Sequence, residues 1–416
     1  MGCHILFLLF LYGSGFTFAN KQCLGQNEEL QKQGRPFVWL GDGPDCQVNT
    51  EDCQQFGFKY LCSDAAGGSN SEDVCESGYK VLCAPPSTKG LASPTPSNHF
   101  KTVSLNALEL DFEYSILFVN FHQYIGQRER TCRIPDILAQ LQPDVDAIVF
   151  QEIFVGGCFP DTLDIRELLS YYGFKYNTPT VGINDNSFLN FENGGVFIAS
   201  RWPIEEYKEM IFDAADFTTA DNYASKGVMY ARISKLVEEK SCMYNLFGTH
   251  MQSQEGQSRE NVREAQAIEI LRFVEELGIP SSEAVIIAGD FNANLNGSPD
   301  HARAVISNMG TVAPTITGSL TTTFDITENN LISIGAEAHQ WLDYVVYSGL
   351  YLQPLQASLE AFKVHVAEPF LICTDAGTGE YVHPLSADCH EALSTKFLSD
   401  HYGVAGTFIF PTDKMS

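Results

Sequence analysis

Beyond about residue 101 the chain is a succession of short apolar runs, and most of them meet a polar side chain at one end. Residues 115–119 run into Asn120, 147–150 into Gln151-Glu152, and 195–200 into Arg201-Trp202-Pro203. Residues 243–247 lead to Gly248-Thr249-His250, and 284–288 to Gly289-Asp290-Phe291-Asn292. Residues 344–347 follow Asp343, and 403–410 follow Asp400-His401. Runs of this length, with 228–233, have the pattern of strands buried on both faces. Helical spacing is rarer. Ile134, Ile137, Leu138 and Leu141 predict a helix stopped at Gln142-Pro143, and Ser258 predicts the cap of another reaching about Leu277. That second helix should turn Ile268, Leu271 and Val274 inward and end at Gly278. Many strands with a few helices imply an α/β fold, two sheets packed face to face with helices outside. In the 284–294 stretch Gly289 permits a tight turn, and an extended period of two would send Asp290 and Asn292 out on one face.

Length and composition suit a large domain plus a small module. The chain has 416 residues, and its 44% hydrophobic content suffices for a sizeable core. Residues 1–19 read as a secretory leader, with an apolar core over 5–12 too short to span a bilayer. No later stretch has the length of a membrane helix. Residues 20–83 hold six cysteines without zinc-ligand spacing, a disulfide framework of an oxidising compartment whose fifteen pairings stay open. Of the remaining five, Cys373 is expected to pair with Cys389 and Cys242 to stay free. Residues 84–100 read as a Pro/Ser/Thr linker and 101–416 as the catalytic domain. Asn296-Gly-Ser is an N-glycosylation sequon. A net charge of −27, from 25 basic against 52 acidic residues, argues against a nucleic-acid grip, which needs a basic surface. A monomer is expected.

A Glu, two Asp, two Asn and two His at strand ends meet the needs of metal-assisted phosphoryl chemistry. Glu152 is a ligand suited to Mg²⁺, and Asn120 and Asn292 can donate to phosphate oxygens. His250 and His401 can serve as acid and base across an in-line displacement, with Asp343 fixing the tautomer of His401. Each also has an ordinary use. A Glu after a strand is commonly a solvated charge, Asp-x-Asn can close an Asx turn, and Ser-Asp-His can cap a turn. The residues taken singly leave both readings open.

Gln151-Glu152, Gly248-Thr249-His250, Gly289-Asp290-Phe291-Asn292, Leu342-Asp343-Tyr344 and Ser399-Asp400-His401 stand in the order of the DNase I-like endonuclease/exonuclease/phosphatase superfamily. Within it, Glu192-Asn193-Gly194-Gly195-Val196, Ser200-Arg201-Trp202-Pro203-Ile204, Ser225-Lys226-Gly227-Val228 and Thr323-Phe324-Asp325 with Asn329 or Asn330 resemble secreted, bacterial-type neutral sphingomyelinases. The resemblance implies a DNase I-like four-layer α/β sandwich, here preceded by the disulfide-rich module. It implies Mg²⁺-dependent hydrolysis of sphingomyelin at membrane surfaces to ceramide and phosphocholine, with Mn²⁺ or Co²⁺ able to substitute. Glu152 and Asn120 would be the metal residues, and Asp290, Asn292 and Lys226 would line the phosphate. His401 would be the base and His250 the acid. Glu192-Asn193 stands where some relatives build a second, edge metal site from an acidic pair. Residues 351–396 are long for a bacterial relative and are expected to form a loop over the site. Phe188, Leu189, Phe191, Phe212 and Phe217 fall in loop-like sequence and either dip into a bilayer or pack locally. The rivals are a secreted nuclease with the same core and an inactive binding homologue. Charge and the Ser-Lys-Gly-Val segment oppose the first, and the complete residue set opposes the second.

Overall fold

A computed structural model describes residues 21–65, 74–86, 91–109, 114–116, 119–121, 125–154, 157–159, 162–183, 193–216, 218, 224–332, 339–375 and 382–414. The expected leader, Glu192, Phe188, Leu189, Phe191 and Phe217 lie outside these residues, as does the side chain of Asn120. The chain divides into two compact units, one of residues up to 86 without 55–57, the other of 55–57 and 87–416.

The first unit has a helix, Lys21–Gln33, and a three-stranded sheet ordered Val38–Leu40, Lys80–Ala84, Lys59–Asp64. Its apolar centre is small, formed by Cys23, Leu30, Cys62, Leu82 and Ala84, so cross-links carry much of the stabilisation. The pairs are Cys23–Cys62, Cys46–Cys75 and Cys53–Cys83.

The second unit is built on two large sheets. In the described residues one has seven strands, ordered Tyr176–Asn177, Phe197–Ser200, Ala147–Ile153, His99–Glu109, Gly403–Ile409, Gln356–Phe362, Thr315–Thr317. The other has six, ordered Ile204–Ile211, Gly227–Val237, Lys240–His250, Ala284–Asp290, Asp343–Ser348, Thr311–Val312. Their layering follows from strand periodicity. Along Ala147–Ile153, Ala147 and Val149 pack with the other sheet, while Ile148 and Phe150 pack with Leu138 and Leu169 of two helices. On the far side, Ala267, Ile270, Phe273 and Val274 of the Gln257–Glu276 helix cover the six-stranded sheet. Helix, sheet, sheet, helix is the four-layer sandwich the motifs imply.

Several local expectations are corrected. Residues 115–119 are not one strand: Tyr114–Ile116 and Val119–Phe121 form an antiparallel hairpin. The Gln257–Glu276 helix starts from Gly256, not from a Ser258 cap, and Ile268 is exposed because the buried stripe runs through Ala267 and Ile270. Gly278 does end it, with a left-handed φ of 63°. Phe212 belongs to the core and has no access to a bilayer. Gly289 makes no turn. It lies within its strand, where a Cβ would stand 2.0 Å from the carbonyl oxygen of Thr249. The 351–396 segment is a core strand, Gln356–Phe362, followed by an antiparallel pair, His365–Asp375 with Glu391–Phe397. Cys373–Cys389 ties the first strand of that pair to the segment just before the second, Cys132–Cys158 is the other bond, and Cys242 is free and buried.

Close contact between the sheets depends on small residues. A Cβ on Gly406 would lie 2.4 Å from Val345 on the facing sheet. Gly406→Val is therefore expected to cost about 1–3 kcal/mol by overpacking, read as a lower thermal midpoint with an unchanged circular-dichroism signature.

Candidate active site

Strand register creates the site. His250 pairs with Asp290 in the parallel ladder, and Asp290 pairs with Asp343 in the antiparallel one. Three adjacent strands thus end in one row of His, Asp and Asp. Two carboxylates directly opposed across strands repel each other, so the row favours a nearby positive charge. The charge present is His401: its Nδ1 lies 2.9 Å from Asp343 Oδ2, and its Nε2 lies 3.8 Å from Asp290 Oδ2. His401 is held from the seven-stranded sheet's side. Its N–H donates to Ser399 Oγ (3.1 Å), and Asn329 Nδ2 clamps the turn by donating to the carbonyls of Ser399 (2.8 Å) and Asp400 (3.0 Å). Thr323 Oγ1 accepts the N–H groups of Leu342 (2.9 Å) and Asp343 (3.2 Å), which fixes the opposite partner.

Glu152 arrives from the facing sheet by a departure from alternation. Phe150 points outward and Gln151 inward, so a regular strand would send Glu152 outward. Its φ of 56°, rare for a non-glycine residue, turns it back. Asn106 then donates from one amide nitrogen to Glu152 Oε1 (2.9 Å) and to Asp290 Oδ2 (3.3 Å), joining the two sheets' carboxylates. Sequence reasoning missed Asn106. The strand that carries it, His99–Glu109, alternates Thr102, Ser104 and Asn106 with Val103, Leu105 and Ala107, and that period of two was its available signal. Asn120, expected as a metal and phosphate residue, lies on the Val119–Phe121 strand, its side chain outside the described residues.

Asp290 divides its oxygens. Oδ1 accepts the N–H of Asn292 (2.8 Å), so the Asx turn is real, while Oδ2 faces Asn106, His250 and His401. Asn292 does not continue the extended period. It has φ 50° and donates from Nδ2 to the carbonyl of Met251 (3.2 Å). Lys226 is buried, donates to the same carbonyl (3.0 Å), and places its ammonium 3.3 Å from His250 Nε2. That nitrogen also lies 3.6 Å from Asp290 Oδ2 and 3.9 Å from Glu152 Oε1. Asn193 stands apart from this group: its Nδ2 donates to the Phe154 carbonyl (2.7 Å) and its Oδ1 accepts from the Gly195 N–H (2.8 Å). Asn296 is exposed, its Nδ2 donating to the Thr321 carbonyl (3.0 Å).

Burial and like charge govern the titrations. Burial, reinforced by Asp400, raises the Glu152 carboxyl to about 7, with Asn106, His401 and Lys226 opposing. Burial raises Asp343 to about 6 against the pull of His401. Burial also disfavours charge on His401, yet Asp343, Asp290 and Asp400 together hold its pKa well above the ordinary value. A hard divalent cation suits the Glu152–Asp290 side, where buried carboxylate oxygens converge and one of them resists ionising. Asp290, Asp343 and His401 also offer donor atoms within 4.8 Å of one another. The Nδ1 of His401 is committed to Asp343, however, and Mg²⁺ prefers oxygen, so that trio suits proton transfer better.

A seven-strand and a six-strand sheet carrying these side chains at one end define a DNase I-like hydrolase fold. The model of the Endonuclease/Exonuclease/phosphatase family matches residues 118–401, and the chain belongs to that family. It is 30% identical over 244 residues to sphingomyelinase C 1 of Leptospira interrogans, covering 55% of this chain and 39% of that protein. It is 31% identical over 263 residues to a sphingomyelinase C of Bacillus cereus, covering 58% of this chain and 74% of that protein. The chain thus spans well under half the length of the Leptospira relative. A variant of the beta toxin of Staphylococcus aureus, crystallised with bound magnesium ions, superposes with a TM-score of 0.56 at 25% identity, covering 74% of this chain and 98% of that one.

A cation held at Glu152 would compete with a proton there, which sets a testable sign. Deprotonation favours the cation, so the rise in thermal midpoint on adding Mg²⁺ should grow as pH increases through about 7. Asn106→Ala removes a bond that favours the Glu152 anion and should move that pH dependence upward. A Mg²⁺ effect independent of pH would contradict the assignment.

Proposed function

We propose that the chain is a secreted, Mg²⁺-dependent phosphodiesterase that hydrolyses sphingomyelin to ceramide and phosphocholine. The convergence of Glu152, Asp290, His250 and the Asp343–His401 pair at the ends of two facing sheets carries this reading. Similarity to the sphingomyelinases C supports the substrate, and five disulfides among the described residues suit an oxidising compartment. Among the described residues no helix is long and apolar enough to cross a membrane.

Glu152 and Asp290, with Asn106 orienting both, would hold the divalent ion, with Mn²⁺ or Co²⁺ able to replace Mg²⁺. Bound there, the ion supplies positive charge to the phosphate and the leaving oxygen. His401, its tautomer set by Asp343, takes a proton from the attacking water at Nε2. Asn292 positions the phosphate through its amide. His250, beside the Lys226 ammonium, delivers a proton to the departing ceramide oxygen, and Lys226 adds charge where the phosphate oxygens crowd. The first unit is proposed as a tethering or capping module, joined through a linker at 84–100, and the protein as a monomer that does not use nucleic acid.

Sphingomyelin vesicles and plasmid DNA separate the readings. With Mg²⁺ the lipid should be cleaved and the plasmid left intact, and EDTA should stop turnover. Nicked plasmid with intact lipid would select a nuclease instead. His401→Ala should lower kcat by at least about 100-fold while the fold persists, the scale of a lost general base. The base must be neutral, so activity falls as pH drops through the His401 pKa. Asp343→Asn removes a carboxylate that raises that pKa, and should shift the acid limb to lower pH as kcat falls.

A further inference from the structure

We propose that a cavity beside His401 is the headgroup subsite, and that it accepts an ammonium that donates hydrogen bonds, so that the ethanolamine ester of ceramide phosphate is a substrate at least as good as the choline ester. The inference rests on the sphingomyelinase reading and adds to it the recognition of the group that stays on phosphorus.

The cavity has a volume of about 550 Å³ and shares His401 and Asn292 with the site just described. Glu152, His250 and Lys226 are not part of its wall. In-line displacement puts the attacking water and the leaving oxygen on opposite sides of phosphorus. With His401 as base, ceramide departs on the His250 side, away from the cavity. The attacking water enters on the cavity side, and the headgroup ester, which stays on phosphorus beside that line, is the substituent the cavity is free to receive. Apart from Phe324 and Leu342 its lining residues are polar or glycine.

The far wall is built, not incidental. Arg263 is 2% exposed, and its Nε donates to His301 Nε2 at 3.1 Å. An accepting Nε2 leaves the His301 proton on Nδ1, which donates to Glu264 Oε1 at 3.3 Å. Arg263 Nη1 donates to the carbonyls of Gln252 (3.0 Å) and Gln254 (2.8 Å), tying down the loop that leads to Glu255. Much of the guanidinium's capacity is thereby used on the backbone. Glu255 and Glu260 stand as carboxylates on the wall, Glu255 Oε1 accepting from Gln340 Nε2 at 3.2 Å, beside the amides of Gln254 and Asn294.

Such a wall discriminates by hydrogen bonding. A trimethylated ammonium has no N–H and is best held against aromatic faces, as in an aromatic cage. Here Phe324 is the one Phe, Tyr or Trp side chain among the lining residues, set edgewise against His401 at 5.0 Å. A primary ammonium has three N–H donors to match the carboxylate and amide oxygens. The reaction balances as for the choline ester. The water oxygen bonds to phosphorus and the bond from phosphorus to the ceramide oxygen breaks. His401 takes the water proton and the ceramide oxygen gains one, giving ceramide and phosphoethanolamine.

The test uses the full chain with Mg²⁺ on vesicles that carry either the choline or the ethanolamine ester of one ceramide phosphate. The expected ratio of kcat/KM, ethanolamine over choline, is about one or more, and Glu255→Gln or Glu260→Gln should lower it by about tenfold, as for a site robbed of a charged acceptor. A ratio below one, or a ratio unmoved in both variants, overturns the subsite assignment while leaving sphingomyelin hydrolysis intact. Failure to cleave either lipid overturns the functional reading and this inference together.

Discussion

Repulsion between carboxylates at the strand ends is the constraint around which the second unit is arranged. Strand pairing sets Asp290 opposite Asp343, and the facing sheet adds Glu152, with Asp400 close enough to bias it. Four acidic groups in one place are unfavourable unless positive charge and hydrogen bonds offset them. The molecule answers with His401 on Asp343, Asn106 between Glu152 and Asp290, and Lys226 beside His250. What remains uncompensated is on the Glu152 side, where the carboxyl is pushed up to about 7. Affinity for a cation is thus a property of the fold before any substrate arrives.

Rigidity comes from the sheets, and reach comes from a few breaks in regularity. Glu152 and Asn292 both adopt left-handed backbone where their strands stop, and both aim side chains that a regular continuation would send elsewhere. Strain of this kind is tolerated where surrounding structure over-determines it. The Asn106 amide on Glu152, and the bonds of Asn292 to Asp290 Oδ1 and the Met251 carbonyl, supply that determination. The cavity beside His401 uses the same device: Arg263 fixes, through the Gln252 and Gln254 carbonyls, a loop whose Gln254 also has positive φ.

Apolar strands with polar ends were legible because burial on both faces leaves an unbroken run of Val, Ile, Ala and Phe. That pattern located the central strands and, with them, His250, Asp290 and Asp343. His99–Glu109 was not legible in the same way. Its inner face is Thr102, Ser104 and Asn106, so the buried strand resembles a half-exposed one. Helix amphipathicity misled for a related reason: Arg263 and Gln266 occupy buried positions of the Gln257–Glu276 helix, so the apolar residues alone did not mark its inner face. Disulfide connectivity in the first unit is a property of three-dimensional proximity and has no local signature, whereas Cys373 and Cys389 are only 16 residues apart in sequence.

Anomalous diffraction from crystals soaked in Mn²⁺ tests the central claim most directly. The account predicts a peak at the Glu152 carboxylate, on the side it shares with Asn106 and Asp290, lost in Glu152→Gln. A peak confined to the Asp343–His401 pair, or persisting at full height in Glu152→Gln, would contradict it.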